Sequence, residues 1–347
     1  MPRLRRSDCS GPGIVRRRAG RGFYYQSPDG RRITDPETLE RIRALAVPPA
    51  WESVWICPWP HGHIQAVGVD SRGRRQYRYH DRWRVLRDQQ KFDHMVLFAR
   101  ALPGLRRKID RALKRPLDSD RYPEPEIVMA TAVRLLDLGC FRIGSDVYAD
   151  ENGTYGLATL ERRHVHVRDD LMTFDFTAKG GQRSVQEVRD PHAAHIVARL
   201  RDRRPASGRL LLGLDSNDIN AFIRESTGGE FTAKQFRTWK ATVLAAVCLA
   251  QRSGATSQSS RKRAVTATIK DVADYLGDTP SVTRSAYVDP RVVDLFLDGV
   301  TVPTELVGGS DRTDIADLAA RPKVETAVLD LLDDETSTSG RSVERAS

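Results

Sequence analysis

In the first third of the chain, apolar and polar residues alternate in short runs, a pattern typical of β-strands. Such runs occur at "RGFYYQ", "SVWICPW", "HIQAVGVD" and "RRQYRYHD". The turn Pro28-Asp29-Gly30 predicts one hairpin, and Asp70-Ser71-Arg72-Gly73 predicts another. A short helix lies between them, with Asp35 as its N-cap and Pro36 at its first position. Residues 23–97 are therefore predicted to form a small β-rich N-terminal domain.

From residue 98 onward the hydrophobic period lengthens to that of helices. "PEIVMATAVRLLDLGC" has little polar face and predicts a buried helix, and "TAKQFRTWKATVLAAVCLAQ" and "DPRVVDLFLDG" predict further helices. Within this part "HVHVRDDLMTFDF" alternates with a period of two, and the glycine turn Lys179-Gly180-Gly181 predicts a return strand. "RSGATSQSSRKR" is Ser-rich and basic, which predicts a flexible connector. Residues 98–332 are predicted to form a mainly α-helical domain with a small β-sheet, so the fold class is α+β.

Both ends of the chain are strongly polar, and charge is distributed unequally along it. Residues 1–22 contain seven arginines and one aspartate and predict a basic disordered arm, whereas residues 333–347 predict a disordered tail. The net charge is +10, but residues 301–347 hold ten acidic and five basic residues, which leaves +15 on the first 300 residues. A basic body favours nucleic acid as a partner, because Lys and Arg placed against phosphates release condensed counterions.

Several function classes have no signature in the sequence. No apolar run approaches the ~18–20 residues of a membrane span, so no membrane partner is expected. The four cysteines lie far apart, which predicts neither a zinc ribbon nor a disulfide framework and fits a reducing cytoplasm. Phosphate-binding glycine motifs are absent from the sequence, and no acidic cluster resembles a two-metal site. Neither a cofactor nor a metal is therefore predicted.

Phosphate chemistry without a metal requires fixed cationic side chains, since the transition state spreads negative charge over the non-bridging oxygens. Arg142 follows the predicted buried helix, Lys179 lies at the glycine turn, and Arg237 lies near a helix start. Tyr287, a possible nucleophile, precedes the helix breaker Asp289-Pro290. Each residue also has a structural interpretation, because such arginines cap helices, turn lysines are solvated and tyrosines pack. Spacing alone does not decide between the two interpretations.

The order of longer motifs along the chain favours the catalytic interpretation of these four residues. From about Gly20 to about Leu332 the chain resembles the type IB DNA topoisomerases, in their small bacterial and poxvirus-type branch. In the N-terminal domain the resemblance depends on "VPPAWESVWICP", "GHIQAVGVDSRGRRQYRYHDRWR" and "KFDHM". In the catalytic domain it depends on "FRIGSDVYADENGTYGLATL", "FTAKGG", "FRTWKA" and "GDTPSVTRSAYVDPRV". It implies a C-shaped clamp on double-stranded DNA and a monomeric, nucleoid-associated cytoplasmic enzyme that relaxes supercoils without ATP or metal.

The resemblance also implies a role for each candidate residue. Tyr287 matches the nucleophile that forms a 3′-phosphotyrosyl link, and Arg142 and Arg237 match the two arginines that bind the scissile phosphate. Lys179 matches the general acid that protonates the departing 5′-oxygen. Asp278 stands where the family usually has His or Asn, and an ionised carboxylate cannot donate a hydrogen bond to phosphate. Asp278 could be protonated in the DNA complex, turn away, or slow the enzyme; we favour a slower, active enzyme.

Further DNA contacts are expected on the predicted strand "RRQYRYH", at Gln76, Tyr77, Arg78 and Tyr79. Alternate residues of a strand face the same side, so Tyr77 and Tyr79 are predicted to share a face. They match family aromatics that contact DNA near the cleavage site. The alternative is that both rings pack in the core of the small domain.

Three other functions are compatible with parts of this sequence. A tyrosine recombinase uses the same Arg, Lys, Arg and Tyr chemistry but typically has His-x-x-Arg where this chain has Lys234-x-x-Arg237. A catalytically weakened DNA-binding relic would explain Asp278, although phosphate binding alone does not require Tyr287. A metal-dependent nuclease is disfavoured by the absence of a carboxylate cluster from the sequence.

Overall fold

A computed structural model of the chain describes residues 3–117, 122–145, 149, 153–202, 205, 208–308 and 319–344. The chain divides into two compact units, Met1–Asp93 and His94–Ser347. The division lies close to the predicted boundary at residue 97, but it falls inside a continuous helix, Asp81–Leu113, and not in a linker. Within the described ranges, no helix is both long and apolar enough to cross a membrane.

The first unit is built on a five-stranded antiparallel sheet with the strand order β2-β1-β3-β4-β5. The strands are β1 (Ile14–Ala19), β2 (Gly22–Gln26), β3 (Glu52–Ile56), β4 (Ile64–Val69) and β5 (Arg75–Tyr79). Helix α1 (Pro36–Ala44) starts as predicted, because the Asp35 carboxylate accepts a hydrogen bond from the Thr38 N–H. The core consists of buried apolar side chains from the sheet and the helix: Ile14, Ile42, Val54, Ile56 and Ala66.

The prediction of a disordered arm over residues 1–22 is wrong. Strand β1 lies in this segment and pairs with both β2 and β3, so it is an interior strand of the sheet. Ile14 is buried in the core, and the Arg16 guanidinium donates hydrogen bonds to three backbone carbonyls of the loop 47–51. An antiparallel strand needs only one apolar face. The high density of arginine therefore hid a strand whose charged side chains reach carbonyl oxygens and solvent.

The two hairpins predicted in this unit have different outcomes. The hairpin of β4 and β5 forms, and the Asp70 carboxylate stabilises its turn by accepting hydrogen bonds from the N–H groups of Arg72 and Arg74. The turn at residues 28–30 closes only a single bridge, between Gln26 and Arg32. Strand β2 pairs instead with β1 through a tight turn at residues 20–21.

The second unit is mainly helical and carries a small antiparallel sheet, as predicted. The sheet has three strands in the order β6-β7-β8, because the segment before the glycine turn forms two strands and not one. Its strands are β6 (Val165–Arg168), β7 (Leu171–Thr177) and β8 (Arg183–Arg189). Helix α2 (Asp81–Leu113) begins in the first unit and continues into this one. Among the described residues, its other α-helices of four or more residues are α3 (Pro125–Leu138), α4 (Pro191–Arg201), α5 (Ser216–Thr227), α6 (Ala233–Gln251), α7 (Gln258–Leu276), α8 (Pro290–Asp298), α9 (Thr304–Val307) and α10 (Pro322–Glu344).

Helix α6 occupies the interior of this unit. Every residue from Phe236 to Ala250 is buried, so the helix is covered on all sides. Cys248 lies in this stretch and Cys140 is buried just beyond α3, and both act as small core residues. A charged side chain on α6 must therefore find its partners inside the protein.

Two segments that were predicted to be flexible are helical. Helix α7 begins at Gln258, inside the Ser-rich basic segment 252–263, because the Ser257 hydroxyl caps it by accepting a hydrogen bond from the Ser260 N–H. Helix α10 extends to Glu344, through most of the tail predicted to be disordered; residues 345–347 lie outside the described part. Once an apolar segment has started a helix, each further residue adds a hydrogen bond, so polar composition alone does not end it.

Candidate active site

Arg237 lies in the second turn of the buried helix α6 and is only 4% exposed. One of its terminal nitrogens donates to the Cys140 carbonyl, just after α3, and the other donates to the Leu276 carbonyl at the end of α7, at 2.9 Å. Carbonyls at helix C-termini carry partial negative charge, so they attract a cation. Two helix ends thus fix the guanidinium in place.

Arg142 follows α3 in an extended segment that two backbone hydrogen bonds hold. Leu157 N–H donates to the Arg142 carbonyl, and Ala158 N–H donates to the Ile143 carbonyl, both at 2.8 Å. The two segments cross so closely that a Cβ on Gly156 would lie 2.5 Å from the Cα of Gly144. Only glycine fits at this crossing, which explains the last glycine of "FRIGSDVYADENGTYG". Residues 146–148 and 150–152 of that motif lie outside the described part.

Asp278 brings the two arginines together. Its Oδ1 accepts a hydrogen bond from Arg142 Nη2 and its Oδ2 accepts one from Arg237 Nη2, each at 2.7 Å. The preceding Gly277 has a positive φ of 62° and ends α7, and Asp278 N–H donates back to the Ala273 carbonyl. The carboxylate therefore faces the arginines, and its side chain is 11% exposed.

Tyr287 is the last residue of a π-helical turn, Thr283–Tyr287, of the kind often found at functional sites. The Thr242 hydroxyl on α6 donates to the Tyr287 carbonyl and accepts from the Asp289 N–H, both at 3.2 Å. The guanidinium carbon of Arg237 lies 5.1 Å from the centre of the half-buried Tyr287 ring. The same helix thus positions both the tyrosine and the arginine.

Lys179 is not among the residues that line the cleft of Arg142 and Arg237. It is exposed at the tip of the β7–β8 hairpin, where Gly180 and Gly181 have φ values of 83° and 76°. Ala178 N–H donates to the Gln182 carbonyl and closes the predicted turn. No hydrogen bond or ion pair of Lys179 occurs within the described ranges. The base of the hairpin is nearer the site, because Phe176 and Ala178 line the same cleft of about 320 Å³ as Arg142 and Arg237.

Sequence reasoning missed the groups that hold the arginines. The carbonyls of Cys140 and Leu276 carry no sequence signal, since every residue has one. Thr242 could have been noticed as a β-branched polar residue in an otherwise apolar helix. The Nε–H of Arg237 is also buried, and it has no hydrogen-bond partner among the residues that the structure describes. Two guanidiniums facing one carboxylate leave an excess of positive charge beside Tyr287.

In the first unit, the four predicted DNA contacts divide between the two faces of β5. Tyr77 and Tyr79 share a face as predicted, with exposures of 40% and 41% and ring centres 6.0 Å apart in near-parallel planes, so neither ring is a core residue. Gln76 and Arg78 lie on the other face. Gln76 donates to the Asp70 carboxylate, and Arg78 donates to a carbonyl after α1. Of the four predicted contacts, only Tyr77 and Tyr79 are exposed.

Sequence comparison finds similarity along most of the chain. Residues 80–293 match the family model for the catalytic core of eukaryotic DNA topoisomerase I, and residues 22–70 match that for the N-terminal domain of bacterial DNA topoisomerase IB. The DNA topoisomerase 1B of Acanthamoeba polyphaga mimivirus is 28% identical over 82% of this chain and 87% of its own. The DNA topoisomerase 1B of vaccinia virus is 24% identical over 69% of this chain and 76% of its own. The DNA topoisomerase 1 of rabbit fibroma virus is 24% identical over 83% and 92%.

Proposed function

The chain belongs to the DNA topoisomerase I family as a type IB enzyme, and from this premise we propose that it relaxes supercoiled duplex DNA through a 3′-phosphotyrosyl intermediate on Tyr287. The observation that carries the proposal is the convergence of Arg142 and Arg237 on one anion position, 2.7 Å from each. Two planar guanidiniums at one position suit a phosphodiester, whose non-bridging oxygens accept parallel hydrogen bonds. The ring of Tyr287 lies against one of them.

In the proposed cleavage step, Tyr287 Oη attacks the phosphorus of a backbone phosphodiester. The Oη–P bond forms, the bond from phosphorus to the 5′-oxygen breaks, and the phenolic proton passes to solvent. Arg142 and Arg237 stabilise the charge that develops on the non-bridging oxygens. The buried, unpartnered Nε–H of Arg237 provides a further donor toward that charge.

The departing 5′-oxygen requires a proton, because an alkoxide is a poor leaving group. We assign this proton to the Lys179 ammonium, whose exposed position on a glycine turn leaves it available to bound DNA. A positioned general acid contributes about 10²–10⁴ in rate. Lys179 regains its proton from the same oxygen when the strand is resealed.

Religation is the reverse reaction, in which the 5′-hydroxyl attacks the phosphotyrosine and releases Tyr287. The phosphodiester energy is retained in the covalent intermediate, so we propose that no ATP is consumed. Rotation of the free duplex end before resealing relaxes supercoils of either sign. The arginines and the lysine supply the positive charge, so we propose that no metal ion participates.

DNA contact outside the cleavage site is assigned to the exposed face of β5. Tyr77 and Tyr79 are available there, and Arg75 lies on the same face with its guanidinium carbon 5.7 Å from the Tyr77 ring centre. A cation among aromatic rings suits a nucleic-acid backbone and sugars. Gln76 and Arg78, which the sequence also suggested, are proposed to hold this strand in shape.

The decisive test is relaxation of positively and negatively supercoiled plasmid in EDTA without ATP. The parent chain is expected to relax both, and Tyr287→Phe neither. Tyr24→Phe removes a hydroxyl from another half-buried tyrosine and serves as the matched control that retains activity. Trapping on end-labelled duplex adds the polarity: a 5′ label should remain attached to the protein after denaturation, whereas a 3′ label should be released.

Two other outcomes would favour other functions. Absence of relaxation by the parent, with duplex binding retained, would support a DNA-binding relic; the pairing of Asp278 with both arginines is the observation that favours it. Joining of two separate duplexes at a defined sequence would support a recombinase.

A further inference from the structure

The carboxylate of Asp278 presents its two oxygens to two different guanidiniums. Oδ1 lies 2.7 Å from Arg142 Nη2, and Oδ2 lies 2.7 Å from Arg237 Nη2. The two non-bridging oxygens of a phosphodiester would make the same contacts, because both are anionic acceptors that bind guanidinium groups. The position to which the proposed function assigns the scissile phosphate therefore already holds an anion of the protein.

We propose that Asp278 is an internal competitor of the DNA phosphate, which occupies the two arginines until a docked duplex displaces it. This inference rests on the proposed function, because it concerns the same phosphate position. The site would then admit a phosphodiester held by the many other contacts of bound duplex, but it would bind free phosphate or sulfate poorly.

The pairing is built into the fold. The left-handed Gly277 and the hydrogen bond from Asp278 N–H to the Ala273 carbonyl fix the backbone at the end of α7. Arg237 is 4% exposed and is held by two other carbonyls, so it cannot swing away to avoid the carboxylate. These constraints distinguish the contact from an exposed surface ion pair, whose side chains are free to separate.

The exchange that we propose involves the side chain of Asp278 and not its backbone. Rotation about the Cα–Cβ bond of Asp278 moves its oxygens out of the arginine pair, and the backbone anchors on both sides remain. Arg237 keeps its contacts to the Cys140 and Leu276 carbonyls during this exchange, so it need not rearrange. After religation the carboxylate can return, and its charge then opposes the phosphate and favours release of DNA.

If Asp278 competes for the arginine pair, its removal should change how the DNA-free protein binds a simple anion such as sulfate. In the Tyr287→Phe background, which removes chemistry, sulfate binding to the full chain is measured by calorimetry and by the rise in Tm, with chloride at equal ionic strength as reference. Asp278→Asn, which is nearly isosteric, is expected to bind sulfate at least about tenfold more tightly, because a charge a few ångströms from the anion is removed. Asp278→Glu keeps the charge and should bind sulfate as weakly as the parent.

Asp298→Asn is the charge-matched control. Asp298 is exposed at the end of α8 and does not line the cleft of Arg142 and Arg237, so solvent screens its charge, and its removal should change sulfate affinity far less. Equal gains for Asp278→Asn and Asp298→Asn would overturn the inference, because any lost negative charge would then suffice. An Asp278→Asn variant that folds, by its far-UV circular dichroism, and gains no sulfate affinity would overturn it too.

A second measurement connects the competitor to catalysis with Tyr287 restored. Single-turnover cleavage of a duplex is expected to be about tenfold faster for Asp278→Asn than for the parent, with tighter duplex binding. A slower Asp278→Asn would overturn the inference, since the carboxylate would then assist cleavage. If neither protein cleaves, the proposed function fails, whereas the sulfate measurement still decides whether Asp278 competes for the anion position.

Discussion

The ion pair between Arg237 and Asp278 allows a quantitative test of the site's architecture by a double-mutant cycle. Arg237→Met keeps the aliphatic stem and removes the charge, and Asp278→Ala removes the carboxylate. A second cycle pairs Asp278→Ala with Arg142→Met. Both cycles share one carboxylate and one hydrogen-bond length, 2.7 Å, so they differ mainly in the burial of the arginine.

The structure predicts unequal couplings. The side chains of Arg237 and Asp278 are 4% and 11% exposed, and breaking a buried pair from one side costs about 3–5 kcal/mol because a buried charge is left alone. Arg142 is 25% exposed, which places its pair between the buried and the exposed case, for which about 0.2–1 kcal/mol is typical. We expect a coupling of about 2–3 kcal/mol for Arg237 and about 1 kcal/mol for Arg142.

The assay is urea unfolding of the four proteins of each cycle, followed by far-UV circular dichroism, which reports chiefly the helical second unit. The hydrogen bonds from Arg237 to backbone carbonyls are lost in both the single Arg237→Met variant and the double variant. Their contribution therefore cancels in the coupling free energy of the cycle. Couplings of equal size, or single-variant free energies that add within about 0.5 kcal/mol, would refute the assignment of this pair as the buried centre of the site.

Three further predictions use other parts of the molecule. Lys179→Ala should slow strand cleavage about 10²–10⁴-fold. A duplex with sulfur in place of the bridging 5′-oxygen should restore the cleavage rate, because a thiolate leaves without a proton. If sulfur does not restore the rate, Lys179 is not the general acid. Tyr77→Ala should weaken duplex binding about tenfold, measured by fluorescence anisotropy, since stacking on an exposed ring is lost. The Nε of Arg78 is buried, so Arg78→Ala should mainly lower the urea midpoint of unfolding. The reverse pattern would contradict the assignment of these residues to opposite faces of β5. Burial lowers the pKa of His164 below its ordinary value of 6.5, and its Nδ1 accepts a hydrogen bond from the Glu161 N–H. Its contribution to stability is therefore present above pH 6.5 and decreases as the pH falls below that value, by at most about 1.4 kcal/mol per pH unit. His164→Asn should flatten the pH dependence of the urea midpoint, and an unchanged slope would show that other groups cause it.

The local pattern of the sequence determined most of the secondary structure. Alternation with a period of two found β3, β4 and β5, and the glycine turn at Lys179-Gly180-Gly181 found the β7–β8 hairpin. These features follow from short-range properties such as the facing of side chains, turn geometry and capping, which neighbouring residues decide. The same reasoning was wrong for β1, because seven arginines in residues 1–22 masked a strand with one apolar face.

The order of the family motifs along the chain identified the candidate catalytic residues. Charge and spacing alone do not distinguish Arg142 or Arg237 from an ordinary arginine at a helix end. The tertiary structure added what no local pattern contains. Arg142 and Asp278 are separated by 136 residues along the chain and meet at 2.7 Å, which requires the ends of α3 and α7 to converge. For Asp278 the sequence suggested a carboxylate that cannot donate a hydrogen bond to phosphate, and the structure places it on the two arginines.

The sequence by itself determined which side chains are available and how they alternate along each element, because these properties depend on residues a few positions apart. Only the tertiary structure decided which of them share a partner. The charge of Arg237 is neutralised by carbonyls and a carboxylate from distant segments, and such contacts depend on the packing of whole helices against α6. Long-range packing thus determines whether the arginine pair faces solvent, DNA or the protein's own carboxylate.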